Sequence, residues 1–299
     1  MRWVCILFPQ LALDAVLRQR ADPDEPLVLL SGPAQRRVLQ AVNPAARQLG
    51  LRAGQSMTAA QALSKGFATA DYDLAEVEHW QQFLAAWAYR FSAQVSVHYP
   101  RTVVFEIESS LGLFGSWTQF EARLRKELTD LGFRHRIVAA PNPVAARVLA
   151  NAYDGLVVPD GEALQHHLGQ LPVDRIGLEP QVATALARMG LRNLNQLQSL
   201  PRQALARRFE ASMLKHLDTL FGARPLALGF YLPPDRFDVR IELNFDVQSH
   251  QALLFPLRRL TGDLSAFLCG RDSGVQRFDL HLEHAGLPDS VIKVGLLSA

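Results

Sequence analysis

The sequence has few of the features that mark several protein classes. It holds two cysteines, Cys5 and Cys269, too few for a disulfide framework or a cysteine-rich zinc site. Their apolar neighbours predict buried thiols. No apolar run approaches the roughly 18–20 residues needed to cross a bilayer. The opening MRWVCILFPQ lacks the basic region and small-residue cleavage site of a secretory signal, so a cytoplasmic location is expected. Net charge is nearly absent at +2, from 31 Lys and Arg against 29 Asp and Glu. Adjacent His166 and His167 point apart on a helix and have no third ligand in sight, so they are read as an exposed helix end and no metal site is expected. No cofactor is implied.

What is present is ordinary globular material. The 299 residues are 48% hydrophobic and 20% charged, which predicts a packed core divided among two to four domains. Most cations are arginine, suited to bidentate phosphate contacts. Between Gln181 and Arg224 seven cations, among them Arg188, Arg207 and Arg208, face only Glu210 and Asp218. That local charge of +5 fits a polyanion footprint or a solvated helical surface.

Periodicity supplies the order of elements. Trp3–Phe8 reads as a buried strand, Leu11–Arg18 as a helix, and Pro26–Ser31 and Arg37–Ala41 as strands. Asn43, Pro44 and Gly50 punctuate a short helix, and another runs from Thr58 to Lys65. Leu74, Val77, Trp80, Leu84, Trp87 and Phe91 recur at helical spacing as a core stripe. Strands Gln94–Tyr99 and Thr102–Glu108 follow, then a helix through Trp117–Leu131, a strand Phe133–Ala139, a helix opened by Asn142-Pro143 and a strand Gly155–Val158. With residues 10–73 set aside as an insertion, this is the split βαβ, ferredoxin-like order.

From Leu171 the pattern is helical. Two short helices, the second ended by Gly190, resemble a helix-hairpin-helix, whose turn near Gly177 offers backbone N–H groups to a phosphate. Glu179 stands where a second glycine is expected, and pure packing is the alternative. Pro225–Pro234 reads as a linker. Arg236 onward alternates through Phe237, Val239, Ile241, Leu243 and Phe245 as a strand, followed by a helix over Gln251–Leu268 and strands near 275–283 and 290–297. Gln251-Ala-Leu-Leu-Phe255 looks like a clamp-binding pentapeptide, but Leu253, Leu254, Leu257 and Leu260 continue in helical register and are read as core. The chain stops straight after a strand, as though inside or at the edge of a domain.

This order of parts resembles the Y-family translesion DNA polymerases: an α+β, multi-domain chain with a ferredoxin-like palm (1–9 and 74–165), small fingers (10–73), a helix-hairpin-helix thumb (166–228) and an α+β little finger (235–299, incomplete at its C-terminus). Ala46-Arg47-Gln-Leu-Gly-Leu-Arg-Ala-Gly54 with Met57 is similar to the family's fingers segment. Val103–Glu108 with Leu111–Phe114, and Pro141–Arg147, match palm segments. The resemblance places Leu7 at the first metal-binding aspartate, Pro9 at the second acid and Ala12 at the aromatic sugar gate. Arg101 and Thr102 fall at the later Asp-Glu pair, so no carboxylate is left at the three essential positions. Two-metal phosphoryl transfer needs those carboxylates. Glu106 matches a structural acid farther along the strand, and alternation is read as a second reason against its replacing Thr102. Arg47 and Arg147 match residues that contact a nucleotide's phosphates, although Pro44 replaces the tyrosine partner of Arg47.

A polymerase body with these substitutions is similar to the ImuB family, the inactive subunit of a bacterial mutasome. The resemblance implies an SOS-induced, nucleoid-associated, non-catalytic scaffold in translesion synthesis and mutagenesis. It would bind primer-template or single-stranded DNA without sequence preference, through Gly177, Arg188, Arg207, Arg208, Arg236 and Arg240. Its implied partners are the sliding clamp, an ImuA-like RecA-related protein and an error-prone C-family polymerase. The alternatives are an active translesion polymerase with relocated metal-binding carboxylates, and an interaction module that has lost DNA binding.

Overall fold

Five consecutive apolar residues form β1 (Trp3–Leu7), the buried centre of a computed structural model that describes every residue except 1, 21, 23, 244–246, 248, 285, 287 and 297–299. Next come α1 (Leu11–Leu17), β2 (Leu27–Ser31), β3 (Val38–Val42), α2 (Pro44–Gln48), α3 (Met57–Leu63) and β4 (Ala68–Asp71). β4, which the sequence pattern did not predict, pairs in parallel with β2 and completes a separate sheet ordered β3-β2-β4. Asn43 ties this layer together. Its side-chain oxygen accepts from Ala46 N at the start of α2 and from Leu27 N, while its amide donates to Glu25 O. The N-cap inferred from sequence thus also fixes the entry of β2.

The chain then forms α4 (Leu74–Tyr89), β5 (Val95–Ser96), β6 (Thr102–Glu106), α5 (Leu111–Phe114), α6 (Trp117–Asp130), β7 (Arg136–Ala140), α7 (Pro143–Ala150) and β8 (Leu156–Val157). Their sheet is ordered β5-β6-β1-β7-β8, the ferredoxin-like arrangement with β8 added in parallel at one edge. Alternation along β1 builds two cores. Val4, Ile6 and Phe8 pack with Trp80, Trp87, Phe91, Phe105 and Phe120 under α4 and α6. Trp3, Cys5 and Leu7 face α7 on the other side.

The thumb region is helical: α8 (Gly161–Gly169), α9 (Pro180–Arg188), α10 (Leu194–Gln198), α11 (Arg202–Arg208) and α12 (Ala211–Leu220). It shares the Cys5 core through Leu164, Leu168, Leu186, Leu197 and Met213. Residue 166, taken as its first, lies within α8. Residues 173–177, expected to be helical, are a turn instead, because Gly177 takes a φ of +85° that a helix does not allow. Asn142 joins thumb to palm: it caps α7 by accepting from Ala145 N at 2.8 Å and donates to Leu220 O at 3.0 Å.

Residues 225–234 are not a slack linker. Tyr231 N donates to Val95 O at 2.6 Å and Ser96 Oγ to Gly229 O at 2.8 Å, so this segment lies along the open edge of β5. The strand expected from Arg236 is absent over 236–243, although the alternation is real: Phe237, Val239, Ile241 and Leu243 are half-buried between exposed neighbours. Phe237 packs on Phe267 at 5.4 Å between ring centroids and, with Val239, lies on the palm core; residues 236–243 belong to no strand. Phe245 falls outside the described residues.

The last elements are α13 (His250–Gly270), β9 (Arg277–Leu282) and β10 (Ser290–Gly295), the two strands antiparallel. α13 packs against α4, but not by the predicted face. Pro256, Asp263, Phe267 and Gly270 are buried, whereas Leu254 is 64% and Phe255 45% exposed. The core reading of Gln251–Phe255 is therefore corrected: the contact face is offset around the helix and centred on a charge. Cys269 is likewise exposed, since its neighbour Gly270 takes the inward position; Cys5 is buried as expected. Among the described residues, no helix is long and apolar enough to cross a membrane.

Candidate nucleic-acid interface and the carboxylate positions

The register of the palm sheet brings Leu7 directly opposite Thr102 on one side and Arg136 on the other. Leu7 and Thr102 are positions that the sequence resemblance aligned with metal-binding acids, and the strands set them side by side. Arg101 precedes β6 with φ 54°, an uncommon conformation for a non-glycine residue. It is held there by three bonds. Its carbonyl accepts from Phe8 N at 2.9 Å, its N–H donates to Gln81 Oε1 at 3.2 Å, and its Nη1 donates to Pro9 O at 3.2 Å. Gln81 also donates to the carbonyls of Tyr99 and Thr102, so one buried amide braces the whole β5–β6 turn.

Glu106 sits at the other end of β6, opposite Trp3. Thr102 and Glu106 share strand parity and so point to the same face, which corrects the alternation argument. At about 3.3 Å per residue, roughly 13 Å along the strand separates them. Glu106 is buried and occupied: Oε1 accepts from Glu108 N and Oε2 from Ser109 Oγ, each at 2.8 Å. Among the described residues no three His, Cys, Asp or Glu side chains gather where they could hold a metal.

Arg147 projects from α7 toward the same end of β1, its guanidinium 5.9 Å from the Tyr99 ring centre. Burial is the main influence lowering its pKa from the ordinary value, and the Arg101 charge acts in the same direction. Burial also pushes the Cys5 thiol and the Tyr99 phenol up to about 12 each. Arg47, by contrast, is exposed on α2 in the fingers layer.

In the thumb, the Gly177 turn is backed by His216, whose Nε2 lies 2.8 Å from Ile176 O. Glu179 precedes α9 without a side-chain capping bond, and the α9 C-terminus closes at Gly190 with φ +82° and a Leu191 N to Leu186 O bond of 3.1 Å. A groove of about 490 Å³ runs beside this helix, lined by Val173, Leu178, Ala183, Thr184 and Arg192. Arg188, Arg207 and Arg208 are exposed, and Arg208 Nη1 reaches Met189 Sδ at 3.9 Å, which sets the end of α11 beside the α9–α10 turn. Arg202 is bound to Asp218 through two 2.7 Å bonds, whereas no ion pair among the described residues engages Arg188, Arg207 or Arg208. Arg236 is exposed beyond the edge segment, and Arg240 pairs with Glu283 at 2.8 Å, an exposed contact that water and salt weaken.

Comparison with known proteins places these observations. Residues 13–151 match the impB/mucB/samB family. The chain is 28% identical over 253 residues to Protein ImuB of Caulobacter vibrioides strain NA1000 / CB15N, covering 83% of this chain and 54% of that one. It thus spans about half the length of the curated relatives it matches. The fold is similar to DinB from Sulfolobus solfataricus, at TM-score 0.60 and 18% identity over 76% of this chain and 69% of that one. It is also similar to an insertion ternary complex of Dbh DNA polymerase, at TM-score 0.62 and 18% identity with the same coverage. A post-insertion binary complex of Dbh matches over 100% of this chain and 88% of that one, at TM-score 0.59 and 14% identity.

Proposed function

We propose that this chain, similar to Y-family polymerases in fold and to ImuB in sequence, is a non-catalytic, DNA-binding scaffold in translesion synthesis and mutagenesis. The observation that supports this reading is that Leu7 pairs with Thr102, next to Arg101, and that the sequence resemblance aligns these three with metal-binding carboxylates. A leucine and a threonine offer a divalent cation no charge, and an arginine repels it. The carboxylate on β6, Glu106, is spent on its own turn.

DNA is held without reading bases, through the Gly177 turn, the unpaired Arg188, Arg207 and Arg208, and the exposed Arg236 and Arg240. Such contacts engage phosphates, position the strand and depend steeply on salt. The scaffold acts in the SOS response at the nucleoid. It joins the sliding clamp, an ImuA-like RecA-related protein and an error-prone C-family polymerase that performs synthesis. Support for these partners is the similarity to ImuB. Arg47 and Arg147 are retained phosphate contacts in this reading.

Primer extension tests the non-catalytic part: purified chain in excess, four nucleotides, and Mg²⁺ or Mn²⁺, beside an active Y-family control. No extension is expected. Extension abolished by replacing a carboxylate of this chain would overturn the reading in favour of an active polymerase. Titration of primer-template DNA at several salt concentrations tests the binding part, and salt-insensitive or absent binding would leave only an interaction module.

A further inference from the structure

Three segments without charge meet at one edge of the palm. In a chain that is 20% charged, residues 91–97, 109–120 and 225–234 contain no Asp, Glu, Lys or Arg. Residues 91–97 lead from α4 into β5 and join the other two. Phe91 packs edge-on against Phe114 at 5.4 Å, and its carbonyl accepts from Ser110 Oγ at 2.7 Å. Val95 O and Ser96 Oγ hold Tyr231 N and Gly229 O. The cations over Phe91 are spent, because Arg90 and Arg123 both bind Glu127. What this uncharged edge offers to solvent is apolar: Leu113 is 82% and Leu232 83% exposed, and Phe230 is exposed beside Leu232.

The backbone there is open as well. Gly229 O and Tyr231 N point inward to β5, and an extended chain turns the groups of successive residues to opposite sides. Phe230 and Leu232 therefore turn theirs outward, and no hydrogen bond among the described residues engages them. An unpaired strand edge recruits a further strand unless charge or proline blocks it, and here proline begins only at Pro233. We propose that this edge docks an extended, uncharged, apolar peptide segment of another protein, added as a strand outside residues 229–232. Main-chain bonds to Phe230 and Leu232 hold it, their side chains supply apolar contact, and Leu113 extends the same surface. Charge selects the occupant. A charged residue brought to this edge would lose its hydration and find no partner. A second copy fits less well, because two such edges set antiparallel would bring Pro233 and Pro234 into the ladder, and proline has no N–H to give. The site goes beyond the DNA-binding reading, since none of its residues is an arginine assigned to phosphate.

Peptide display tests it, with the full chain as bait. Short random peptides are selected, the enriched ones are synthesised, and their binding is read by fluorescence anisotropy without DNA. Uncharged peptides rich in β-branched residues are expected. Binding should fall about tenfold in Leu232→Lys and vanish when alternate peptide amides are N-methylated. Leu232 is exposed, so the lysine leaves the fold intact, with melting temperature as the control. Amide exchange at Phe230 and Leu232 should slow when peptide is bound. Enrichment of charged peptides or of none, or binding that Leu232→Lys or N-methylation leaves unchanged, overturns the site. So does concentration-dependent self-association of the free chain that Leu232→Lys abolishes, which assigns the edge to a second copy. With no DNA present, these outcomes are separate from those of the salt titration.

Discussion

Asp263 of α13 closes a buried, two-bond ion pair with Arg18, which follows α1: Oδ2 accepts from Nη1 at 2.9 Å and Oδ1 from Nη2 at 2.5 Å. Both side chains are sealed from solvent, at 0% and 1% exposure. Arg18 Nε donates to Leu131 O at 2.8 Å, and the guanidinium lies 4.4 Å from the Trp80 ring centre and 4.9 Å from that of Phe133. A guanidinium stacked on aromatic faces gains from their quadrupoles, and each of its three nitrogens donates a hydrogen bond here. This pair holds the C-terminal helix to the palm.

Removing one partner leaves the other charged and buried, which costs about 3–5 kcal/mol. Asp263→Ala is therefore expected to destabilise the chain by that amount in urea unfolding. Arg18→Met with Asp263→Leu, which removes both charges, should recover most of the loss. A double variant as unstable as the single one would show that the pair does more than neutralise a charge.

Gly270, buried, and Gly262, exposed, lie on the same helix and predict opposite signs. A Cβ at Gly270 would stand 2.1 Å from the Ala86 carbonyl oxygen, a backbone atom that cannot step aside. At Gly262 it would meet nothing within 4 Å. Gly270→Ala should cost about 1–3 kcal/mol by pushing α13 off α4. Gly262→Ala should gain up to about 1 kcal/mol from helix propensity. Thermal unfolding of the two variants side by side settles the sign.

Charge reversal of Arg207 and Arg208 should weaken DNA binding and flatten its salt dependence. If each engages one phosphate, the log–log slope falls by roughly 1.4–1.8 for the pair. Reversal of Arg202, already committed to Asp218, should change the slope less. Equal effects from the two changes would point to a general field and not to local contacts.

Asp14 gives the fold a pH dependence. Burial pushes its carboxyl up to about 7, against the bond it accepts from Arg134 N at 2.8 Å. In the unfolded chain it titrates near the ordinary value of about 3.9. Between roughly pH 4 and about 7 the folded state holds a proton that the unfolded state has lost, so stability declines as pH rises through that window. Asp14→Asn keeps an acceptor and removes the titration. It is expected to match the parent near pH 4 and to exceed it by a few kcal/mol near pH 8, read from urea midpoints across that range.

Much of the fold was legible because local rules and tertiary packing agree. Asn43 and Asn142 cap the helices the sequence assigned to them, and the stripe is core from Val77 to Phe91, while Leu74, in the first turn of α4, faces solvent and is corrected. What failed was information carried by partners distant in the chain. The alternation from Phe237 to Leu243 is the same whether a chain pairs with a strand or lies on a core. On α13, Asp263 reads as a solvent-facing residue until Arg18 is known to face it, so the leucine face was taken for the inner one. The site divided in the same way. Leu7 and Thr102 could be placed by resemblance to a motif, whereas the burial of Arg147 beside Tyr99 emerges only from what surrounds it.

The anchoring of Gly229 and Tyr231 along β5 has a consequence for reach. A module on a slack tether samples a volume set by the whole tether, and its encounter rate with a neighbouring surface falls as that tether lengthens. Here the tether is pinned partway, and only the stretch beyond Tyr231 can pay out. The C-terminal module is thereby kept at high effective concentration beside the palm even when α13 lets go, so re-docking is an intramolecular event that dilution of the protein leaves unchanged.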